Sequence, residues 1–420
     1  MANNNENKIL NVPNLRFPEF CGEWETIKVS ELLDFYSTNS LSWEQLDYSN
    51  GKIKNLHYGL IHKGVPTMVD VACDSLPYIK EESMLKSFTL FKEGDVAFAD
   101  ASEDTNDVAK AIEVVNCDNQ QIVSGLHTIH GRDNSNRTVI GYKGYAFASD
   151  SFHKQIRRIA QGTKVFSISV RNFDEAYIGI PSKEEQTQIA KLLITIDKRI
   201  ATQNKIIEKY ESLIQAMCDT LIERETQQVT LSFGDFGQSY SGLSGKSAED
   251  FGDGYPFITY MNVYQNQIID STDVGLVKIN ETEQQSVVRY GDILLTLSSE
   301  TPEEVGMGAV YLGETYPLYL NSFCFGIHIT DEAKIYPPFL AYYVSSQSFR
   351  KAVYPLAQGS TRFNLQKSDF MKKKFSFPVI EKQRIIYSFL KNYSDKLIVE
   401  KQIMRLLCNQ KCYLLRQLFI

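Results

Sequence analysis

The sequence lacks the residue patterns on which most metal proteins and disulfide-linked proteins depend. It has seven cysteines and six histidines among 420 residues, and no two cysteines have Cys-x-x-Cys spacing. Cys408 and Cys412 lie one helical turn apart, but no histidine or cysteine pair accompanies them to complete a metal site. We therefore interpret the cysteines as reduced thiols and predict no metal site.

The sequence also lacks a long apolar run and an excess of positive charge. No segment is apolar over the ~20 residues that a membrane-spanning helix needs, and no signal peptide is recognised. The net charge of −7 argues against a protein that simply coats DNA or a membrane, although local clusters decide whether DNA can bind. We expect a cytoplasmic protein with no membrane partner.

Motifs for catalysis are incomplete. The segment Gly245-Lys246-Ser247 resembles the end of a phosphate-binding loop, but Tyr240 stands where that motif needs its first glycine. The segment Tyr336-Pro337-Pro338-Phe339 resembles the Pro-Pro-aromatic loop of amino-methyltransferases, but tyrosine replaces the Asn, Asp or Ser that would bind the target amino group. A solvated loop and the start of a helix over 339–353 are the favoured interpretations, and no catalytic residue is predicted.

Two long amphipathic helices, predicted over 183–225 and 380–420, are the strongest positive signal. Their apolar residues recur at alternating steps of four and three, the period that keeps one stripe facing a partner helix. Met217 and Leu221 continue the first stripe, and Leu414 and Leu418 the second. The other members are Ile189, Leu193, Ile196, Ile200, Ile207, Tyr210 and Ile214, then Ile386, Leu390, Tyr393, Leu397, Met404 and Leu407.

The two helices repeat at an offset of 197 residues, as the pairs Ile189 and Ile386 or Leu221 and Leu418 show. The same offset recurs before the helices, which indicates an internal repeat. The matches include Tyr58 with Tyr255, Gly94-Asp95 with Gly291-Asp292, Ser102-Glu103 with Ser299-Glu300, Phe152 with Phe349, and Gln186 with Gln383. Two unrelated helices, each packed on its own domain, are the alternative.

The repeat predicts an α+β fold with two similar mixed α/β domains and a pseudo-twofold relation. The predicted domains are 1–182 and 226–379, and the helices at 183–225 and 380–420 are expected to form an antiparallel coiled coil. A helix of ~40 residues is about 60 Å long, so it can act as a spacer. Two similar domains held apart by a spacer suit duplex DNA with two related half-sites.

Clusters of polar and basic residues indicate where DNA would bind. Groups suited to phosphates surround the end of a helix predicted over about 142–161, with Gly162 as its cap, and the matching place in the second repeat. They are Lys154, Arg157, Arg158, Gln161, Gly162, Thr163 and Lys164, then Arg350, Lys351, Gln358, Gly359, Ser360 and Arg362. Candidates that could read base edges are Tyr58, Arg132, Arg137, Tyr240, Ser244, Lys246, Tyr260 and Asn262. Ordinary helix ends and solvated loops are the alternatives.

Longer strings then identify a resemblance. They are GDVAFADASEDTNDVAKAIEVV at Gly94–Val115, YGDILLTLSSETPEEVGMGAVYL at Tyr290–Leu312 and YSGLSGKSAEDFGDGYPFITYMNV at Tyr240–Val263. The Pro-x-x-Glu-x-Gln openings at Pro181 and Pro378 belong with them. Together, and in doubled arrangement over essentially the whole chain, they resemble the specificity subunit of type I restriction-modification systems.

The resemblance implies a function that composition and spacing alone do not give. Each mixed domain would be a target recognition domain that binds one part of a split DNA sequence. The coiled coil would set the gap and dock modification subunits that methylate adenine. Separate restriction subunits would carry ATP-driven translocation and cleavage. The chain itself would be non-catalytic, with S-adenosylmethionine, ATP and Mg²⁺ bound by its partners. A coiled-coil scaffold without a DNA role and a stand-alone DNA-modifying enzyme are the alternatives.

Overall fold

The computed structural model describes residues 11–85 and 88–420, and these fall into two compact units. Unit 1 combines the chain up to Asn204 with Gln402–Ile420, and unit 2 comprises Lys205–Lys401. Each unit therefore contains one mixed domain and parts of both long helices. The sequence prediction divides the chain differently, into four segments in chain order. The first ten residues of the first predicted segment lie outside the described residues.

Unit 1 begins with short strands and ends in a long helix. Its strands are β1 Glu25–Lys28, β2 Asp34–Tyr36, β3 Leu46–Asp47, β4 Ile53–Leu56, β5 Met68–Asp70, β6 Tyr78–Ile79, β7 Val96–Ala99, β8 Ala101–Ser102, β9 Ala111–Asn116, β10 Gln121–Ser124, β11 Thr128–Arg132, β12 Phe166–Ser167 and β13 Tyr177–Ile180. Its helices are α1 Val29–Leu32, α2 Tyr58–His62, α3 Tyr142–Phe147, α4 Asp150–Ile159 and the first half of α5 Lys183–Glu223.

The strands of unit 1 form mixed sheets. The largest has the order β2-β11-β7-β9-β5, antiparallel except for the β9–β5 pair. An outer sheet has the order β10-β4-β6-β3, and β1 pairs with β13. The main core packs aromatic rings of α3 and α4 against β7, with Phe98 lying 4.8 Å from Phe147 and from Phe173 between ring centroids. Burial of such large rings is the main stabilising term of the unit.

Unit 2 repeats this plan. Its strands are β14 Gln228–Ser232, β15 Gly237–Ser241, β16 Phe251–Ile258, β17 Val274–Val277, β18 Ile293–Thr296, β19 Ser298–Ser299, β20 Gly308–Val310, β21 Tyr319–Leu320, β22 Cys324–Ile329, β23 Ala357–Gln358, β24 Phe363–Leu365 and β25 Lys374–Pro378. Its helices are α6 Tyr260–Gln265, α7 Pro337–Tyr343, α8 Gln347–Val353, α9 Lys367–Lys372, the part of α10 Ile380–Gln417 that ends at Lys401, and the second half of α5. The sheet orders are β15-β22-β18-β20, β17-β16-β21, β19-β24-β23 and β14-β25.

The helix predicted over about 142–161 is wrong in detail, because a serine divides it. Ser149 is extended, and its hydroxyl accepts the Phe152 N–H at 3.2 Å, so a new helix starts there. Ser346 does the same for Phe349 at 3.3 Å and divides the helix predicted over 339–353. Gly162 is not the predicted cap either: α4 ends at Ile159, and the glycine lies in the hairpin that follows.

The two long helices pack antiparallel within each unit. In unit 1 the Lys411 ammonium lies 2.6 Å from Asp197, while Leu418 packs in the core that contains Ile189. In unit 2 the Lys401–Glu211 pair at 2.7 Å is followed by Lys382–Glu225 at 3.5 Å. Within each pair of contacts the residue numbers rise on one helix as they fall on the other. No helix of the described residues is long and apolar enough to cross a membrane.

The members of the two apolar stripes differ in how deeply they are buried. Their outer members pack into the mixed domains: Ile189, Leu193 and Ile196 in unit 1, and Ile214, Ile386 and Leu390 in unit 2. The other predicted members are Ile200, Ile207, Tyr210, Tyr393, Leu397, Met404 and Leu407, of which Leu407 is buried and the rest are half-buried. Beyond Ile214 the fully buried residues are Cys218 and Ile222 rather than the predicted Met217 and Leu221, because the helix there faces the domain core.

The repeat is confirmed by equivalent contacts at both helix starts. The side-chain oxygen of Gln186 accepts the Val139 N–H at 2.8 Å, and its amide donates to the Pro181 carbonyl at 2.9 Å. Gln383 makes the same two bonds, to Tyr336 and to Pro378, both at 2.8 Å. Both glutamines are fully buried. The predicted class, a repeated mixed α/β domain with two long helices, is therefore confirmed.

Candidate nucleic-acid interface

A buried carboxylate organises the largest sheet of unit 1. Asp95 is 1% exposed, and its two oxygens accept Arg132 Nε at 2.8 Å and Nη2 at 2.6 Å. His130 Nε2 lies 2.8 Å from the same carboxylate. Burial acts to raise the pKa of Asp95, but these hydrogen bonds outweigh it and hold the pKa below its ordinary value. Arg132, predicted to read bases, is therefore engaged inside the protein.

Asp292 occupies the matching place in unit 2 with different partners. The Tyr240 hydroxyl donates to it at 2.7 Å, and His328 Nδ1 lies 2.9 Å away. Burial raises the pKa of Asp292, and its hydrogen bonds with the Arg289 N–H, His328 and Tyr240 offset this only in part. Tyr240, another predicted base reader, is buried with its hydroxyl in use.

Four more predicted contacts are engaged in internal bonds. Asn262 is buried and its amide donates to the carbonyls of Asp270 and Asp273. Arg350 donates to the carbonyls of Glu303, Val305 and Gly306, and burial lowers its pKa. The Lys246 side chain is 4% exposed beside Glu283, and Arg137 pairs with Glu25. Lys246, predicted to read bases, is thus held in an ion pair with Glu283, although Ser244 near it is exposed.

Each unit presents a tight hairpin whose tip is exposed. In unit 1 the Gln161 and Ser167 backbones exchange hydrogen bonds, and in unit 2 Gln358 pairs with Asn364. Gly162 has φ +140° and Gly359 has φ +137°. A Cβ there would overlap the carbonyl oxygen of Val165 or Arg362 respectively. The tips carry the predicted phosphate contacts Gln161, Thr163, Lys164, Gln358, Ser360 and Arg362, all exposed.

In unit 1 the hairpin lies beside an open cavity of about 350 Å³. Its wall includes Tyr58, His62, Glu103, His127 and Val165. The Tyr58 ring stands edge-on to His127, with 5.3 Å between ring centroids, and His127 Nδ1 lies 3.2 Å from Asp100 Oδ1. We call this cavity and the hairpin 161–167 the hairpin face of unit 1.

Unit 2 has a corresponding surface with bulkier side chains. Tyr260 starts α6 as Tyr58 starts α2, and its hydroxyl donates to the Ser298 carbonyl at 2.9 Å. The exposed Phe323 ring lies 5.9 Å from the Arg362 guanidinium carbon. The hairpin is fixed to the same sheet because Ser298 pairs with Asn364 in β24. We call this surface, with hairpin 357–365, the hairpin face of unit 2.

The equivalent of Tyr58 is therefore not Tyr255, as the offset of 197 predicted. His57 and Thr259 both cap the following helix through their side chains, so the offset at this point is 202. Tyr255 lies in strand β16 instead. His127 and Phe323 could not be matched by the offset of 197 either, because they occupy equivalent turns at an offset of 196.

The helices before the hairpins carry the remaining predicted cations. Lys154 pairs with Asp150 at 2.7 Å, and Arg157 Nη1 donates to Asn106 at 3.1 Å. Arg158 and Lys351 are exposed and make no ion pair with the described residues. In the described residues no group of three or more His, Cys, Asp or Glu side chains could hold a metal ion. The loop at Tyr336 is also internal, because Pro337 and Pro338 open α7 and are buried.

Comparison with known proteins gives this arrangement a family. A profile described as the type I restriction modification DNA specificity domain matches residues 22–212 and again 229–407. The chain belongs to this family. The family profile matches the chain twice, and the two matches begin close to β1 and to β14, the first strands of the two units.

Individual relatives agree with the family match. The type I restriction enzyme MjaVIII specificity subunit of Methanocaldococcus jannaschii is 25% identical to this specificity-domain protein over 266 residues. The alignment covers 58% of the chain and 61% of that relative. The type I restriction-modification S subunit from M. genitalium shares the fold with a TM-score of 0.54 at 16% identity, covering 97% of this chain and 99% of that one.

A second solved structure also shares the fold. This structure is described as the structural basis of complex assembly and conformational transition of the type I R-M system. Its TM-score is 0.58 at 14% identity, and the match covers 93% of this chain and 96% of that chain. At these identities the likeness concerns the fold alone.

Proposed function

We propose that this chain is the DNA-specificity subunit of a type I restriction-modification complex. The double match to the specificity domain, once in each unit, is the observation that carries the proposal. Each unit would bind one half of a bipartite site, and the long helices would set the gap between the halves. The chain would be non-catalytic and hold no cofactor of its own. Partner subunits would bind S-adenosylmethionine, ATP and Mg²⁺.

The hairpin faces are the surfaces that best fit duplex DNA. They combine exposed amides, hydroxyls and cations, which are the groups that contact phosphates, with half-buried rings at their base. Lys164 and Arg362 are exposed near the hairpin tips, with Arg158 and Lys351 on the preceding helices. Arg132, Tyr240, Asn262 and Arg350 have internal partners, so we assign them to the framework that holds these faces.

Salt dependence tests the hairpin cations directly. We expect Lys164→Ala combined with Arg362→Ala to weaken DNA binding by the assembled complex at all sequences alike. The slope of log affinity against log salt should fall by about 0.9 for each phosphate contact removed, which is nearly 2 in the double variant. Lys191→Ala, at an exposed position of α5, is the control and should leave the slope unchanged. An unchanged slope in the double variant would remove both side chains from the interface.

Methyltransferase subunits are the proposed protein partners, and α10 offers them an apolar surface. Within unit 2, Ile385, Phe389, Ile398 and Val399 are exposed on this helix. Exposed apolar side chains at helical spacing indicate a protein contact. We expect Ile398→Asp combined with Val399→Asp to release methyltransferase subunits on size-exclusion chromatography. Lys396→Ala is the matched control because its side chain is exposed and pairs with Glu400 on the same helix.

Mapping of modified bases in the source genome tests the proposed function as a whole. We expect deletion of the gene to abolish one split, adenine-methylated motif and to leave other methylation unchanged. Restoration of that motif by the wild-type gene would also identify both half-sites. A methylation pattern that is the same with and without the gene, in cells that express all the partner subunits, would contradict the proposal.

A further inference from the structure

The turn that carries Phe323 holds an apolar ring in solvent. Phe323 is 55% exposed. Its N–H donates to Asn321 Oδ1 at 2.9 Å, and its carbonyl accepts the Leu297 N–H at 2.8 Å. Because the backbone is bonded on both sides of the residue, the ring cannot easily fold back onto the protein. The ring is therefore accessible to a partner outside the protein.

An unneutralised arginine lies beside this ring. The guanidinium carbon of Arg362 lies over the ring, 5.9 Å from its centroid, so it leaves the opposite face of the ring to a base, and the side chain makes no ion pair with the described residues. The hairpin fixes its backbone, since the Arg362 carbonyl lies against Gly359 and β24 pairs with both β19 and β23. A cation and an apolar ring are therefore presented together at one edge of unit 2.

The equivalent edge of unit 1 has a different chemistry. His127 occupies the corresponding turn, because its carbonyl accepts the Asp100 N–H as that of Phe323 accepts the Leu297 N–H. Its ring is held by Asp100 and packs against Tyr58. Val165 stands in the hairpin at the position of Arg362, against the matching glycine. The ring in unit 1 is thus polar and already has partners.

We propose that Phe323 packs on the face of a base at a loosened base step in the half-site bound by unit 2, with Arg362 on the adjacent phosphate. This inference rests on the proposed function. Apolar side chains that enter a base step unstack it in part and gain contact area. An aromatic ring can stack on any base, so the contact adds affinity and favours steps that unstack easily. In the half-site bound by unit 1 the contact from His127 is polar.

The test uses the full complex with its methyltransferase subunits and the motif found by genome mapping. Duplexes carry 2-aminopurine at each position of both halves in turn, except at the adenines that become methylated. The wild-type complex should raise the fluorescence at one step of a single half. Phe323→Ala should abolish that rise and weaken binding about 10- to 100-fold, the range expected for loss of one stacked base.

Two further variants separate stacking from damage to the fold. Phe323→Leu keeps an apolar wedge and should keep part of the fluorescence rise. Tyr290→Ala removes another exposed ring of unit 2, 62% exposed, and should leave both affinity and fluorescence unchanged. Absence of any rise in a wild-type complex that binds its motif, or equal affinity of Phe323→Ala and Tyr290→Ala, would overturn the inference alone. Failure of the wild-type complex to bind the motif would overturn the proposed function.

Discussion

Substitution of Arg132 by methionine separates two roles for this side chain. As a base reader Arg132 would affect only DNA binding, whereas the structure uses it as the main partner of the buried Asp95. Three hydrogen bonds are lost in Arg132→Met: two to the carboxylate, at 2.8 and 2.6 Å, and one to the Leu90 carbonyl at 2.7 Å. Methionine keeps most of the apolar stem, so packing changes little.

The expected loss of stability follows from what remains around Asp95. Removal of one partner from a buried ion pair costs about 3–5 kcal/mol because the other charge is left without compensation. His130 and the Lys92 N–H stay on the carboxylate, so we expect the lower end, about 3 kcal/mol. With a urea m-value of about 2 kcal/mol per M, the unfolding midpoint should fall by about 1.5 M.

Tryptophan fluorescence reports this change selectively. The only tryptophans of the sequence, Trp24 and Trp43, both lie in unit 1, and Trp24 is buried in its core. Urea unfolding of Arg132→Met followed by this signal is therefore the assay, with exposed Arg158→Met as the matched control. The control should shift the midpoint by no more than about 0.25 M. Equal shifts in the two variants would refute the bracing role and return Arg132 to the DNA surface.

Three other substitutions test the framework. Gln383→Ala should lower the free energy of unfolding by about 2–4 kcal/mol, because it leaves the buried Tyr336 N–H and Pro378 carbonyl unpaired. Circular dichroism during urea unfolding measures this loss, with the exposed Gln265→Ala as the control. Gly359→Ala should lower DNA affinity without loss of helix content, because an alanine Cβ would overlap the Arg362 carbonyl oxygen. Gly245→Ala is the control, because it also places alanine at a positive φ but in an open loop where the Cβ meets no other atom. The pKa of Asp95 is lowered in the folded state, so the carboxylate stabilises unit 1 above its unfolded pKa of about 3.9. This stabilisation is lost as the pH falls through the lower pKa of the folded state. Asp95→Asn should therefore make the stability of unit 1, measured by tryptophan fluorescence, depend less on pH on the acid side. A profile that stays parallel to the wild-type one would count against the ion pair as the source.

The long helices and the repeat could be predicted because both signals extend over many residues. A stripe sustained through ten or more turns, with a matching stripe elsewhere, is difficult to produce by accident. The sequence pattern did not predict the breaks at Ser149 and Ser346, although serine is a preferred residue at helix starts. The roles of Arg132 and Arg350 could not be predicted. A cation looks the same in sequence whether it faces DNA or a buried group that is 37 or 44 residues away.

The change of offset within the repeat shows where the two units diverge. Tyr36 and Tyr240 occupy equivalent strands beside the buried carboxylates at an offset of 204, and the helix caps His57 and Thr259 follow at 202. At Asp95 and Asp292 the offset is 197, so the chain between helix cap and carboxylate is five residues shorter in unit 2.

The shortened segment builds different outer sheets. Unit 1 places β5 beside β9 in parallel and β6 between β4 and β3, whereas unit 2 pairs β17 antiparallel with β16. The carboxylate, the hairpin and the glutamine at the helix start occupy matching places in both units, although the partners of the carboxylate differ. Under the proposed function, this division between matching and divergent parts suits two half-sites that differ in sequence. Under the proposed function we therefore expect the differences in base preference between the units to originate in these outer sheets and in the turns at His127 and Phe323.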